Sequence, residues 1–178
     1  MIYSLSFLFS NSIKQRVGSG STFFFIFLHQ LLRCYPYYQS NQTLLVKKFS
    51  DLKIEKEDDL VKYKIGAQNG TTGQIYLSDN LVKAGKMPEA NVKKYATNIE
   101  AVTDLLNGNI DMVIMDDPAA KGYERVKDVK SVYTIITNEN FGIALPKNSV
   151  HKDAINNALK EIMAGEQWNE IINKYLLQ

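Results

Sequence analysis

The sequence predicts an α/β fold made of parallel strand and helix units, and three observations carry that prediction. Lys64-Ile65-Gly66-Ala67-Gln68 is a short apolar strand that passes through Asn69-Gly70-Thr71-Thr72-Gly73 into an amphipathic pattern with Ile75, Tyr76, Leu77 and Leu81. Ile110-Asp111-Met112-Val113-Ile114-Met115 is a nearly continuous apolar run, the pattern of a strand buried on both faces. Strand and helix patterns then alternate in units of about 20 to 30 residues, which within one sheet implies right-handed parallel crossovers.

Taken in order, the chain changes character near residue 35, because the first acidic residue is Asp51 and all 19 acids follow from there. Residues 1–34 form an atypical hydrophobic segment. Lys14 and Arg16 precede Gly18-Ser19-Gly20-Ser21 and the apolar run Phe23 to Leu28, which resembles a secretory signal and is too short to span a bilayer as a helix. Leu31-Leu32-Arg33-Cys34 puts Arg where a lipoprotein cleavage site needs a small residue, which argues against lipidation; out-of-frame translation is the other reading of the segment. Gln42 to Lys48 reads as a strand, and Asp51 to Tyr63 as a charged loop with one helical turn anchored by Leu52, Ile54, Leu60 and Val61. The helix from about Thr72 to Lys83 stops at Ala84-Gly85, with Pro88 beyond.

Asn91 to Tyr95 is a short strand. Thr97 and Glu100 form a capping box that opens a helix with Ile99, Val102, Leu105 and Leu106 on its apolar face, and Asn107-Gly108-Asn109 ends it. Asp116-Asp117-Pro118 starts a further helix. Ser131 to Thr137 and Phe141 to Leu145 read as two strands with a turn at Asn138-Glu139-Asn140. Two apolar helical faces close the chain, Ile155, Ala158, Leu159 and Ile162, then Trp168, Ile171, Ile172 and Tyr175, with Gly165 between them.

Composition excludes several classes of function. With 45% hydrophobic and 22% charged residues the chain is an ordinary globular sequence, and a net charge of +2 without a basic, aromatic-interleaved cluster argues against nucleic acid. One cysteine excludes an intrachain disulfide, and His29 and His151 stand apart from any set at ligand spacing, so no metal or other cofactor is expected.

The chemistry lies in loops that follow parallel strands, where an open α/β sheet places its ligand. Around Gly70, Thr71 and Thr72 the chain enters a helix, and the unpartnered N–H groups and dipole of a helix start suit an anion. Neither a Gly-Lys-Ser/Thr ending nor a spaced-glycine dinucleotide fingerprint is present, so a carboxylate fits better than a phosphate; plain helix capping by the threonines is the competing reading. The strand ending at Met115 delivers Asp116 and Asp117 to the same edge. Asp117, next to Pro118, reads as an N-cap, Asp116 as the candidate for a cation, and Asp111 as a solvated or turn-bonded acid. A ligand with a carboxylate and an ammonium a short distance apart, an α-amino acid, satisfies both ends.

These residues carry a resemblance. Pro36-Tyr37-Tyr38-Gln39-Ser40, the strand Leu44 to Lys48, Gly66 to Gly73, Asn98 to Asp111, Asp116-Asp117-Pro118-Ala119 and Phe141 to Lys147 together make residues 35–178 similar to the later part of a family 3 solute-binding protein, the polar amino-acid receptor of ABC transporters. The resemblance implies a periplasmic-binding-protein-like α/β fold with one complete parallel-sheet lobe and remnants of a second. Residues 35–52 would be a hinge strand and first-lobe remnant, 53–138 the second lobe, and 139–178 the return strand and terminal helices of the first. It further implies a monomeric, extracytoplasmic protein that binds an amino acid and works with a transporter permease. Thr72 and its neighbours Asn69, Gly70 and Thr71 would hold the α-carboxylate, Asp116 the α-ammonium, and Gln68 would touch the side chain. The family's first-lobe strand, helix and strand and its Thr-x-x-Arg segment have no counterpart before Tyr35, since neither Arg16 nor Arg33 stands in that context. The expectation is therefore a truncated receptor with weak or no binding and with terminal helices that leave apolar faces uncovered. A cyclohexadienyl-dehydratase-like enzyme on the same scaffold, with Asp116 as acid or base, and a membrane-anchored sensor module are the alternatives.

Overall fold

The structure, a computed structural model, describes residues 31–177; the signal-like reading of the segment before them lies outside the described residues. The chain divides into two compact units. Among the described residues the larger comprises 41–137 with 175–177, and the smaller 31–40 with 138–174.

The larger unit is built on a five-stranded sheet. In chain order its elements are β1 (Leu31–Lys47), β2 (Ile65–Gln68), α1 (Thr72–Tyr76, continued by a π-helical turn Leu77–Val82), β3 (Val92–Tyr95), α2 (Asn98–Asn107), β4 (Met112–Asp116), α3 (Asp117–Val126) and β5 (Val129–Pro146). The spatial order is β3-β2-β4-β1-β5. β2 runs parallel to both neighbours, with Ile65 opposite Val92 and Met112, as the strand and helix alternation predicts. β1 is antiparallel to β4, with Leu44 opposite Ile114 and Leu45 opposite Val113. The sheet is therefore mixed, because no crossover helix joins β1 directly to its neighbour and dictates its direction.

β1 and β4 alternate between two cores. Leu44, Val46, Met112 and Ile114 face one side with Leu77 and Leu81 of the first helical segment. Leu45, Val113 and Met115 face the other with Ala101, Val102 and Leu105 of α2 and Ala120 of α3. Burial on both faces explains the unbroken apolar text of β4. The buried stripe of α2 is Ala101, Val102 and Leu105, and Ile99, expected on the apolar face, lies at its margin and is exposed.

Local signals set the element ends. Thr97 Oγ1 accepts the Glu100 N–H at 3.2 Å, and the Glu100 carboxylate accepts the Ala96 and Thr97 N–H groups at 3.0 and 3.2 Å. Thr97→Ala is expected to lower stability by about 1 kcal/mol, read as a lower urea midpoint with unchanged slope; an unchanged midpoint would remove the capping box from the account. Gly108 closes the same helix with φ 81°, the left-handed conformation that glycine adopts without steric penalty. Beside it Asp104 accepts hydrogen bonds from Lys93, Asn109 and Tyr95, which hold its carboxyl down at about 2 and join β3 to α2. Asp111 accepts the N–H of Lys64, 47 positions away, at 2.8 Å, so it ties the start of β4 to the start of β2 and does not bond within its own turn.

Two expectations are corrected. Ser131 to Thr137 and Phe141 to Leu145 are not two strands but parts of the single strand β5. Asn138 adopts φ 51°, and an asparagine tolerates that left-handed geometry inside a continuing strand as well as in a reversal. The helix predicted from Thr72 to Lys83 occupies that span but changes at Leu77 to π-type bonding, in which the Lys83 N–H reaches the Ser78 carbonyl at 2.8 Å.

In the smaller unit, the early part of β1 and the late part of β5 accompany α4 (Lys152–Ala164) and α5 (Glu166–Ile172). Gly165 separates the helices, as expected. The Tyr35 N–H donates to Asn156 Oδ1 at 2.8 Å, Tyr37 meets Trp168 edge to face, and Tyr38 packs on Phe141. Ile162, Met163 and Ile171 are between 37% and 39% exposed. Cys34 is buried within β1. Among the described residues no helix is long and apolar enough to cross a membrane.

Candidate functional site

β4 is buried from Met112 to Met115, so Asp116 is the first residue of that strand to emerge. Antiparallel pairing sets Gln42 opposite Asp116. Because side chains alternate along a strand, Gln42 shares the sheet face of Leu44 and Val46, and Asp116 that of Met112 and Ile114. The two polar groups meet there: Gln42 Nε2 donates to Asp116 Oδ1 at 2.5 Å. Gln42 is fully buried and Asp116 is half-buried. Burial pushes the Asp116 carboxyl above the usual carboxylate range; the Gln42 hydrogen bond opposes that shift, and the neighbouring Asp117 charge adds to it.

Asp117 is not the N-cap that Pro118 suggested. The cap position belongs to Asp116, which makes no side-chain cap bond, and Asp117 opens α3 with Pro118 in its first turn. The Asp117 carboxylate instead accepts the Thr43 hydroxyl and the Asn41 N–H, which ties the start of α3 to β1. Thr43, one residue beyond Gln42, points to the opposite side of the strand. The alternation that brings Gln42 to Asp116 thus brings Thr43 to Asp117, and the two acids are separated by role.

The loop after β2 is closed by its own groups. The Thr71 N–H and hydroxyl both donate to the Gln68 carbonyl, at 3.3 and 2.8 Å, and Thr71 Oγ1 accepts the Gln74 N–H at 3.4 Å. The Gly70 N–H donates to Gln74 Oε1 at 3.3 Å with φ 77°, and the Asn69 N–H donates to the Tyr95 carbonyl at 2.8 Å. Of the three expected amide donors, Gly70 and Thr71 are therefore engaged within the loop. The Thr72 and Gly73 N–H groups at the start of α1 have no acceptor among the described residues. The half-buried Gln68 side chain and the exposed Asn69 side chain likewise make no hydrogen bond among the described residues.

Gly73 connects the two parts. A Cβ at that position would stand 2.7 Å from Gln42 Oε1 and 3.0 and 3.2 Å from the Ile114 side chain. The first turn of α1 thus lies directly on Gln42 and Ile114. Gln42 touches the loop side through its oxygen and Asp116 through its nitrogen. Sequence reasoning places Gln68 to Thr72 and Asp116 at one end of the sheet but passes over Gln42, Thr43 and Gly73. Gln42 and Thr43 end a polar run, Gln39 to Thr43, directly before the apolar Leu44-Leu45-Val46; that run was the available signal, and it acquires meaning only with the β1–β4 register. Among the described residues no group of His, Cys, Asp or Glu is arranged to hold a metal.

No family model matches the chain. Its sequence and fold nevertheless relate it to the family 3 solute-binding proteins of amino-acid ABC transporters, over most of its length. It is 35% identical over 154 residues to an arginine-binding periplasmic protein of Mannheimia haemolytica, across 83% of this chain and 60% of that protein. With the ABC transporter glutamine-binding protein of Bacillus subtilis it shares 32% identity, across 79% of this chain and 50% of the relative. Among solved structures, the arginine-, lysine-, histidine-binding protein ArtJ of Geobacillus stearothermophilus matches with a TM-score of 0.68 and 31% identity, covering 86% of this chain and 65% of that one. The chain thus spans 50% to 60% of the length of these two curated relatives. All three are binding proteins by name.

Proposed function

We propose that the chain serves as the ligand-binding component of an ABC importer, outside the cytoplasm, and that it takes a polar α-amino acid. The observation that carries this reading is the pairing, at one end of one sheet face, of the Thr72 and Gly73 amides, which have no acceptor among the described residues, with the half-buried carboxylate of Asp116. The amides match an α-carboxylate, Asp116 matches an α-ammonium, and charge-assisted hydrogen bonds at both ends select a zwitterion over either ion alone. Gln68 stands beside them with its side-chain amide available to the ligand's own side chain, while Asn69, Gly70 and Thr71 hold the loop in shape. Its partners are then the amino acid and the permease of the transporter, and no catalytic step is assigned to Asp116.

Arginine is the first ligand to test, since it is named for two of the three compared proteins. Two amides and one carboxylate supply modest affinity, a Kd on the order of 0.1 to 10 mM. Titration followed by amide NMR is expected to move the Thr72 and Gly73 signals saturably with L-arginine, L-histidine or L-glutamine, and not with agmatine, which lacks the carboxylate. Equal shifts with agmatine, or none with any of the three amino acids, would overturn the assignment.

A further inference from the structure

We propose that Gln42 is a positioning residue of this site: its buried side-chain amide fixes the Asp116 carboxylate and braces the first turn of α1, and so sets the spacing between the two ligand-binding ends. The proposal rests on the amino-acid reading above and adds a residue to it. Three observations support it. Gln42 is 0% exposed although it carries a full amide, so it lies where loss of its hydrogen bond to Asp116 would leave a buried polar group unmatched. Its Nε2 donates to Asp116 Oδ1, an oxygen of the carboxylate proposed to meet the ammonium. Its Oε1 lies against the first turn of α1, since a Cβ on residue 73 would stand 2.7 Å from it.

The arrangement also has an electrostatic consequence. Asp116 is half-buried beside a second acid, Asp117, and both influences favour its neutral form. An ammonium ligand needs the charged form. Gln42 donates to the carboxylate and is the opposing influence; Asp117 is the ionisable group that acts on Asp116.

The test uses the whole chain and first needs no ligand. Carbon NMR of the Asp116 carboxyl against pH, in the unaltered protein and in Gln42→Met, is expected to show the midpoint moving upward in the variant, because burial then acts without the opposing hydrogen bond. L-arginine binding at neutral pH is expected to weaken about tenfold, the loss of one hydrogen bond to a charged group. Should Gln42→Met fail to fold, the unaltered protein still decides: the Gln42 side-chain amide protons must shift with the same midpoint as the Asp116 carbon. An unchanged Asp116 midpoint in the variant, or Gln42 protons that do not follow Asp116, would overturn the positioning role. A raised midpoint with no amino acid bound by either protein supports the hold of Gln42 on Asp116 and overturns the amino-acid reading alone.

Discussion

Asp116→Asn is expected to remove most of the amino-acid affinity and at the same time to make the fold more stable at neutral pH. Asparagine keeps the shape of the side chain and an oxygen for Gln42 Nε2, so the local packing survives. The charge does not survive. A hydrogen bond to a charged group contributes about 1.5 to 3 kcal/mol, so affinity for L-arginine falls by roughly 10- to 150-fold. The stability effect has the opposite sign. The folded carboxyl lies above its unfolded value because burial disfavours the charge, so the folded state binds the proton more readily than the unfolded chain. Stability therefore falls as pH rises from the unfolded value through the folded one, and the ionised carboxylate remains a penalty at pH 7. Asparagine carries no such penalty. Calorimetric melting across a pH series should show the variant melting above the parent at neutral pH, with the gap closing as the solution becomes acidic. A variant that melts lower at neutral pH, or a gap that does not change with pH, would contradict the desolvated state assigned to Asp116. A binding group kept at the expense of stability is the usual relation between a site and its scaffold.

Gly73→Ala is expected to destabilise the larger unit and to weaken binding together. Two effects compete. Alanine in a helix is favoured over glycine by about 0.8 to 1 kcal/mol, whereas overpacking a well-filled core costs about 1 to 3 kcal/mol. Overpacking wins here because neither obstacle yields freely. Gln42 is buried and engaged with Asp116, and Ile114 is a β-branched, buried residue of the central strand β4. Any adjustment that admits the new methyl either lifts α1, moving the Thr72 amide, or swings Gln42 away from Asp116. Urea unfolding should give a midpoint lower by the equivalent of up to about 2 kcal/mol after the helix gain is subtracted, with poorer L-arginine binding in the same protein. A midpoint equal to or above the parent's would mean that the contact between α1 and β1 is looser than the structure has it.

Much of the fold was legible because its signals are local. A Thr and a Glu three residues apart, at 97 and 100, satisfy each other's backbone wherever the helix lies in space. Gly108 ends that helix through its own backbone freedom, and the apolar run before Asp116 reports burial on both faces without any need to know what covers it. The turn from Gln68 to Gln74 was legible for the same reason, since apart from the Asn69 bond to Tyr95 its bonds run between residues a few positions apart. Asn138 shows where local signals stop. An asparagine flanked by polar residues is compatible with a reversal and with a left-handed residue in a continuing strand, and the structure has the second.

The sequence by itself determined the strand and helix alternation, the caps and the two candidate ends of the site, because each depends on the spacing of residues along the chain. Only the tertiary structure decided that β1 lies antiparallel against β4, and with it that Gln42 meets Asp116 and Thr43 meets Asp117. Those pairs are separated by 74 positions. A shift of the register by one residue would exchange their faces, and that register is set by the burial of Leu44, Leu45 and Val46 in two cores at once.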